Sequence, residues 1–437
     1  MHMLDGPALA GLLTMIEDGP HSGRATFRYD ASYPARPDAI PVDPVELPVR
    51  GISPDMTFTT AEDFELFGGI RDAVPDDWGQ SLLRRESGRT DLRLYDFLTA
   101  AGDERVGALA FGPDLNGPRR AAPWSTTHDD DSDLDLADML EAAAGLSTAE
   151  GLDRRMRRFI IRGSSLGGAR PKGTFTWNGY PTVAKFGRDD DKARGMEQIC
   201  RIEYATMTLA RLCGIDVPEI DLATVTGRDV YLIRRFDRIP IPELGRSDRK
   251  LPGFRRRHFV SGLTMLAAHE TEAHEQSYRS LADRLRRLGS QSKIDCRQLY
   301  RRMIFNILCN NTDDHLRNHG FLYDGNQTWR LSPAYDLNSF PEHGDETRRL
   351  ALGVGRNKDG YSVRDASLEV ALTDCRSFYL TADEAVSVMA ELVDRMKSWD
   401  KHFAACGLSR ATIKRLSTAF LRVRQAEERG LPASRFR

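Results

Sequence analysis

A short polar segment, residues 311–318, combines side-chain types that can hold a nucleophile and a metal ion. It reads Asn-Thr-Asp-Asp-His-Leu-Arg-Asn, so Asp313 precedes Asn318 by five positions, and Asp336 follows just beyond a predicted hairpin. Kinases use an acid and an amide at this spacing to hold a substrate hydroxyl and Mg²⁺, and a later acid contacts the metal again. Carboxylate and amide oxygens are hard ligands that Mg²⁺ accepts. The pattern predicts phosphoryl transfer, with Asp313 as catalytic base and Asn318 and Asp336 as Mg²⁺ ligands.

Two neighbours of Asp313 offer other interpretations of this segment. Asp314 has a suitable side chain for the base, but only Asp313 lies five positions before Asn318. His315 and His319 are four positions apart, which raises the hypothesis of a zinc site. The segment is predicted to be a loop, however, and the sequence offers no evident third soft ligand. His315 is therefore predicted to pack beneath the loop or to contact a nucleotide.

A kinase also needs a nucleotide site, and residues 163–173 upstream form a glycine-rich loop. Glycine lets backbone N–H groups approach phosphate oxygens closely, although this loop matches neither the Walker A pattern nor the protein-kinase glycine motif. Lys172 and Lys185 are the first two lysines of a chain that otherwise uses arginine almost everywhere. Because a lysine ammonium is a compact charge suited to phosphate, both are predicted nucleotide contacts.

Lys185 lies in the apolar stretch 181–186, which resembles the Val-Ala-Ile-Lys strand of kinases. A lysine at such a position needs an anion, because an unpaired buried charge is costly. In kinases its usual partner is a glutamate on the following helix. Glu203 is the first choice for this structural ion pair, and Glu197 is the second.

The order of predicted elements gives the fold class. A strand at 158–162 precedes the glycine-rich loop, and Asn178-Gly179 is a strong hairpin signal between strands at 174–177 and 180–186. A helix over 196–213 and strands over 219–224 and 230–235 follow. Helical patterns dominate the rest of the chain, at 259–268, 278–288, 298–309, 382–405 and 409–427. A hairpin at 321–323 and 328–331 interrupts them, and Thr381 with Glu384 predicts a capping box.

We therefore predict an α+β, two-lobed kinase-like fold, with a β-rich N-terminal lobe that carries the glycine-rich loop and a mostly helical C-terminal lobe. Residues 1–125 are predicted to be a β-rich N-terminal subdomain, and 126–155 an acidic linker and helix. Residues 156–240 are predicted to be the nucleotide-binding subdomain, and 241–437 the helical lobe with the catalytic and metal residues.

Composition argues against several classes of protein. The chain has 62 Lys and Arg against 64 Asp and Glu, a net charge of −2, so bulk nucleic-acid binding is not expected. No apolar run is long enough to span a bilayer, and the N-terminus lacks the features of a secretion signal. Six scattered cysteines without a C-x-x-C pair disfavour a zinc site or a disulfide framework. The sequence predicts a cytoplasmic protein without membrane contact.

The chain resembles the HipA family of bacterial serine/threonine kinases, the toxins of toxin–antitoxin pairs, over nearly its whole length. The resemblance includes Pro-Asp-Asp-Trp-Gly at 75–79 and Val-Gly-Ala-Leu at 106–109 in the N-terminal part. Further along, the matching segments are the glycine-rich loop at 164–172, Arg-Phe-Asp-Arg at 235–238, the polar segment at 312–318 and Ala-Tyr-Asp at 334–336.

This resemblance implies roles for individual residues. Asp313 is the catalytic acid, Asn318 and Asp336 bind Mg²⁺, and Lys185 contacts the phosphates of ATP. The stretch that contains Arg234, Phe236 and Asp237 follows the adenine hinge and reaches the ribose. Ser165, or alternatively Ser164, is autophosphorylated, which ejects the glycine-rich loop. A phosphate adds roughly two negative charges, which a loop built to hold ATP phosphates repels.

The resemblance also implies partners. A small helix-turn-helix DNA-binding antitoxin, HipB-like, holds the toxin, so that DNA is contacted only indirectly. The substrate is a translation component, notably an aminoacyl-tRNA synthetase, and the result is growth inhibition. Two alternative hypotheses remain open: a small-molecule kinase of the aminoglycoside type, and a catalytically silent, antitoxin-bound co-repressor.

Overall fold

The structure is a computed structural model, which describes residues 1–3, 8–19, 22–61, 64–101, 104–112, 135–148, 154–163, 170–188, 191, 197–241, 253–341 and 348–432. The chain divides into two compact units. The first unit comprises residues 1–197, 220–260 and 325–327, and the second comprises 198–219, 261–324 and 328–437. The subdomain boundaries predicted from the sequence remain a prediction.

Short antiparallel sheets and helices alternate in the first unit. Its described elements are β1 (His2–Met3), β2 (Ala8–Leu9), β3 (Gly11–Gly19), β4 (Ser22–Tyr29), β5 (Phe58–Thr59), α1 (Gly68–Arg71), α2 (Asp77–Ser87), α3 (Leu94–Ala100), β6 (Leu109–Ala110), α4 (Leu136–Thr148), α5 (Arg154–Gly163), β7 (Lys172–Trp177), β8 (Tyr180–Phe186), β9 (Ile220–Val225), β10 (Arg228–Arg234), β11 (Arg238–Ile241) and β12 (Gly253–Arg256).

The main sheet of the first unit has the order β7-β8-β10-β9 and is antiparallel throughout. The predicted hairpin is confirmed: Asn178 and Gly179 join β7 to β8 with φ angles of 48° and 81°. Such positive φ values at both central residues fit the twist of the flanking strands, and Asn and Gly tolerate them best. The hairpin therefore fixes the register of the two strands that carry Lys172 and Lys185.

One strand prediction in this unit was wrong. Residues 158–162 lie in helix α5, which packs against β7 and α4. A short apolar run cannot be assigned to strand or helix by its hydrophobicity alone. The deciding signal is the helical spacing of Met156, Phe159 and Ile160, which are buried in one cluster with Phe175 and Phe186 of the sheet.

Helices dominate the second unit. Its described elements are β13 (Phe259–Ser261, at the boundary with the first unit), α6 (Ile199–Leu212), α7 (Gly262–Met265), α8 (Tyr278–Leu288), α9 (Ser292–Cys309), β14 (Gly320–Tyr323), β15 (Trp329–Leu331), β16 (Gly355–Arg356), β17 (Ser362–Val363), α10 (Leu368–Thr373), α11 (Ala382–Met396), α12 (Trp399–Ala405), α13 (Arg410–Leu416) and α14 (Leu421–Arg429). Three 3₁₀ turns are described here, Glu270–Glu275, Leu316–Asn318 and Cys375–Phe378.

Most helices predicted for this part of the chain are present; the helix predicted at 278–288 has the predicted ends, and the others differ at one end or both. The helix expected over 259–268 is a strand followed by the single turn α7, and the long helices expected at 382–405 and 409–427 are each two helices. The capping box is confirmed: Glu384 N donates to Thr381 Oγ1 at 3.2 Å, and Thr381 N donates to Glu384 Oε2 at 2.8 Å. The β14–β15 hairpin is also present.

The central helix α9 supports the polar segment that follows it. Most of its residues are buried, and Asp295 in its first turn accepts hydrogen bonds from Arg330 of β15 at 2.8 Å and from Leu331 N at 3.1 Å. The helix ends at Asn310, whose backbone is left-handed with φ of 55°. The Asn310 amide donates to the carbonyl of Phe340 at 2.8 Å. This residue thus turns the chain out of α9 and into residues 311–318.

Substitution of Asn310 tests how much this helix end contributes to stability. Asn310→Ala loses both the amide hydrogen bond and a side chain that tolerates left-handed backbone, so we expect unfolding free energy to fall by about 2 kcal/mol. Asn310→Gly keeps the backbone freedom and should lose only about 1 kcal/mol. Urea denaturation measures both values, and equal losses in the two variants would contradict the conformational part of this explanation.

Candidate active site

The polar segment 311–318 is tied to α9 by its own first residue. Asn311 N donates to the carbonyl of Asn306 at 3.0 Å, and the Asn311 amide donates to Asn306 Oδ1 at 3.1 Å. Asn306 is fully buried and uses its other amide atom on Asp314, at 2.7 Å. A single buried asparagine therefore connects the start and the middle of the segment to the helix.

Asp314 is the buried anchor of this segment, with 1 % of its surface exposed. Its Oδ2 accepts three hydrogen bonds, from Tyr278 Oη of α8, from Asn306 Nδ2 and from His319 Nε2 at 2.9 Å. Burial alone would raise the pKa of this carboxyl. The adjacent His319 ring and the hydrogen bonds from His319 and Tyr278 outweigh burial and hold the pKa below its ordinary value.

Tyr278 remains a hydrogen-bond donor in this arrangement, because burial and the Asp314 charge raise the pKa of its hydroxyl well above the usual range. The Nε2 atom of His319 donates a hydrogen bond to the buried carboxylate of Asp314. The two histidines thus have different surroundings, since His315 is only half-buried. Asp314 therefore supports the segment, because it is buried and its Oδ2 accepts three hydrogen bonds from the protein.

Asp313 differs from Asp314 in its exposure, its hydrogen bonds and the direction of its pKa shift. Its side chain is exposed, while its backbone carbonyl accepts hydrogen bonds from His315 N at 2.9 Å and from Asn318 Nδ2 at 3.0 Å. The surrounding protein still removes part of the hydration of its carboxyl, which raises the pKa; the negative charges of Asp336 and Asp314 act in the same direction and His315 opposes them. An exposed carboxylate on a fixed backbone is available to a substrate hydroxyl.

Asn318 and Asp336 present oxygen atoms of the kind that Mg²⁺ accepts. Asn318 is 7 % exposed, and because its Nδ2 is used on Asp313, its Oδ1 is the atom without a hydrogen-bond partner among the described residues. Asp336 is half-buried and has a left-handed backbone, with φ of 58°. Its charge is felt by Asp313, and a cation would relieve this repulsion. The donor set therefore fits Mg²⁺.

The two lysines of the predicted nucleotide site are cross-strand neighbours, since Lys172 of β7 lies opposite Lys185 of β8. Like charges at such positions are destabilising, which an anion can offset. Lys172 is 4 % exposed, and its Nζ lies 3.8 Å from Asp76 Oδ2. Burial raises the pKa of Asp76 to about 6, although Lys172 lowers it. Lys185 Nζ lies 6.0 Å from the centre of the Tyr231 ring.

The other predicted nucleotide contacts follow β10. The Arg234 guanidinium lies 3.4 Å from the centre of the Tyr180 ring, and the half-buried Phe236 packs near Phe259. Asp237 is 3 % exposed, and both of its oxygens accept hydrogen bonds from the protein. Its contact with a ribose stays a prediction.

Three further sequence predictions can be located only in part. Glu203 is 4 % exposed on α6, and its pairing with Lys185 stays a prediction. Ser164 and Ser165 lie outside the described residues, as does most of the glycine-rich loop. Sequence reasoning did not identify Tyr278 and Asn306, because no motif surrounds them. Helical spacing could have found Asn306, the one polar residue in an otherwise apolar stretch near the end of α9.

Comparison with known proteins identifies the family. Residues 164–399, more than half of the chain, match the family model described as the HipA-like C-terminal domain. The chain belongs to the HipA family. It is 32% identical over 169 residues to protein Y4dM of Sinorhizobium fredii, which is provisionally named a kinase. It is 25% identical over 178 residues to the serine/threonine-protein kinase toxin HipA of Shewanella oneidensis.

These two sequence alignments cover 36% and 37% of this chain and 38% and 39% of the relatives, so each alignment spans well under half the length of the relative. A solved structure of the Shewanella oneidensis complex of HipA, HipB and operator DNA covers more. It aligns with 98% of this chain and 96% of its own at a TM-score of 0.67 and 17% identity. This likeness shows the fold and confirms the predicted kinase-like α+β class. No helix in the described ranges is long and apolar enough to cross a membrane.

The contrast between the two aspartates predicts that their substitution affects stability to very different extents. Asp314→Asn replaces a buried carboxylate that accepts three hydrogen bonds, so we expect unfolding free energy to fall by about 3 kcal/mol. Tyr278→Phe removes one of the three donors and should lose about 1 kcal/mol. The matched control, Asp313→Asn, should leave stability nearly unchanged. Urea denaturation at neutral pH makes the comparison, and a larger loss for Asp313→Asn than for Asp314→Asn would reverse our assignment.

Proposed function

We propose that this chain is an ATP- and Mg²⁺-dependent serine/threonine-protein kinase that acts as the growth-inhibiting toxin of a toxin–antitoxin pair. The observation that carries the proposal is the division of work between two adjacent aspartates. Asp314 is buried and anchored by Tyr278, Asn306 and His319, and this leaves Asp313 exposed on a fixed backbone. Membership of the HipA family supports the same activity.

The residues of the second unit have distinct proposed roles. Asp313 orients the substrate hydroxyl and accepts its proton as the phosphoryl group is transferred. Asn318 Oδ1 and Asp336 hold Mg²⁺, which when bound neutralises charge on the nucleotide phosphates. His315 contacts the nucleotide, and Glu203 is the partner of the phosphate-binding lysine. Because phosphoryl transfer depends mainly on positioning and charge neutralisation, Asp313, Asn318 and Asp336 together with Lys185 supply its minimum parts.

The first unit supplies the remaining nucleotide contacts in this proposal. Lys185 and Lys172 interact with the phosphates, which offsets the repulsion between two lysines on opposite strands. Arg234, Phe236 and Asp237 belong to the stretch that contacts the base and the ribose. Ser165 or Ser164 is the site of autophosphorylation, since an added phosphate would repel the phosphates of ATP.

The proposed partners follow from the family. The related Shewanella oneidensis HipA was solved with HipB and operator DNA. By analogy, this chain binds a small helix-turn-helix antitoxin in the cytoplasm and reaches DNA only through it. Its proposed substrate is a translation component such as an aminoacyl-tRNA synthetase, whose phosphorylation would stop growth. Phosphopeptide analysis after brief expression without an antitoxin would identify this substrate.

Autophosphorylation tests the catalytic assignment directly. With Mg²⁺ and γ-labelled ATP, the purified protein should incorporate label at Ser165 or Ser164, and omission of Mg²⁺ should abolish the incorporation. Asp313→Asn removes the base and should reduce the rate by about 100-fold or more. Asp359→Asn, an exposed aspartate at a hairpin tip, is the matched control and should label like the wild type.

Two results would contradict the proposal, one from this assay and one from calorimetry. A folded Asp313→Asn protein that labels itself at the wild-type rate would exclude Asp313 as the base. Wild-type protein that binds no Mg-ATP in calorimetry would exclude the kinase activity as a whole. Peptide mapping of Ser164→Ala and Ser165→Ala variants then assigns the modified serine.

A further inference from the structure

A buried group of charges holds the chain immediately after β10. Arg235 continues the pairing with β8 by one residue, as its N–H donates to the carbonyl of Pro181 at 2.9 Å. After Arg235, side-chain hydrogen bonds hold the chain in place of strand pairing. Asp237 accepts hydrogen bonds from Arg235 at 3.0 and 2.8 Å, from Arg238 Nη1 at 2.8 Å and from Gly107 N at 2.8 Å. The carboxylate thus connects residues 235–238 to the distant segment 104–107.

The two arginines extend this connection to the backbone of segment 104–107. Arg235 Nη1 donates to the carbonyl of Glu104 at 2.8 Å and to its Oε2 at 3.1 Å. The carbonyl of Arg105 accepts from both Arg235 Nη2, at 2.9 Å, and Arg238 Nη2, at 3.1 Å. Arg238 Nη1 also donates to the carbonyl of Gly107, at 3.2 Å. The planar guanidinium forks therefore bind three carbonyls of this segment and the carboxylates of Glu104 and Asp237 at fixed angles.

Segment 104–107 is also packed tightly from the other side. Gly107 has a φ of +77°, and a Cβ added there would lie 3.1 Å from the N atom of Phe259. The chain just before Phe259 also contacts residues 235–238, since Arg257 N donates to the carbonyl of Asp237 at 2.9 Å. Only glycine fits this approach without displacement. The backbone of residues 235–238 is consequently confined by neighbours on two sides.

The charges of this group depend on one another. Burial acts to raise the pKa of Asp237, but Arg235 and Arg238 outweigh it and hold the pKa well below its ordinary value. Burial lowers the pKa of Arg238 to about 10, which leaves it charged at neutral pH. Asp237 and both arginines are each less than one-tenth exposed, whereas Glu104 lies partly in solvent. Loss of Asp237 would leave two buried cations with one half-exposed acid, a costly state.

We propose that Asp237, with Arg235, Arg238 and Glu104, is a positioning cluster for the nucleotide base, and that Asp237 acts through the backbone of residues 234–236. This inference rests on the proposed function, which assigns that stretch to the base of ATP. Both oxygens of Asp237 accept from arginine and its side chain is 3 % exposed, so the present arrangement commits this carboxylate to the protein. Its effect on ATP is therefore indirect, and it depends on contacts with segment 104–107.

Two variants and one control test the cluster in the full-length protein. Asp237→Asn weakens the hold on both arginines. Glu104→Ala removes the half-exposed contact with Arg235 and serves if Asp237→Asn does not fold. Asp91→Ala is the matched control, since Asp91 belongs to an exposed ion pair with Arg89 in the same unit. Calorimetry would measure the dissociation constants of Mg-ATP, Mg-2′-deoxy-ATP and Mg-tripolyphosphate, together with the thermal midpoint of each variant.

We expect Asp237→Asn to raise the dissociation constants of Mg-ATP and Mg-2′-deoxy-ATP alike, by about tenfold, and Glu104→Ala by about threefold. Mg-tripolyphosphate has no base, so its binding should change less than about twofold. The control should bind all three ligands like the wild type. The kcat of autophosphorylation at saturating ATP should stay near the wild-type value in Glu104→Ala.

Three results would overturn the inference. Folded variants with lower thermal midpoints and unchanged ATP affinity would show that the cluster only stabilises the fold. A loss seen with Mg-ATP but not with the 2′-deoxy nucleotide would show a direct ribose contact by Asp237. Wild-type protein that binds tripolyphosphate and ATP equally would leave the base without a site. Wild-type protein that binds none of the three would instead refute the proposed function itself.

Discussion

The buried carboxylate of Asp314 is the interaction on which the candidate active site depends. A charge removed from water must be satisfied by the protein, and here Tyr278, Asn306 and His319 all donate to one oxygen. These donors come from α8, from α9 and from the residue before β14, so one side chain joins three elements of the second unit. The backbone of residues 311–318 is fixed as a result, and Asp313 can be exposed without being mobile.

The first unit uses buried charge in a similar way. Asp237 and two arginines hold the connection after β10 against segment 104–107. They do so through hydrogen bonds to the N–H and carbonyl groups of that segment's main chain. The register of the β7–β8 hairpin places Lys172 opposite Lys185 and concentrates positive charge on one part of the sheet. In both units, buried ionic groups fix short connecting segments, and the groups proposed to contact ligands lie beside these fixed points.

Local patterns in the sequence were sufficient to predict the β7–β8 hairpin and one helix cap, and to select the residues of the candidate site. The spacing of Asp313 and Asn318, the Asn178-Gly179 turn and the Thr381–Glu384 cap each depend on a few neighbouring residues. Two partners could not be predicted, Tyr278 of Asp314 and Gly107 of Asp237, because they are distant in sequence from these aspartates and meet them only after folding. Helix α5 was mistaken for a strand because both bury a short apolar run. The helical spacing of Met156, Phe159 and Ile160 and the packing of the helix on β7 distinguish the two.

The most direct test of the account is a crystal structure with Mg²⁺ and a non-hydrolysable ATP analogue. We predict that Asn318 and Asp336 bind Mg²⁺, that Asp313 faces the γ-phosphate without binding the metal, and that Asp314 keeps its three donors. Lys185 should lie within hydrogen-bond distance of a phosphate oxygen. A structure in which Asp314 leaves Tyr278 and Asn306 to bind the metal or the nucleotide would contradict the central claim.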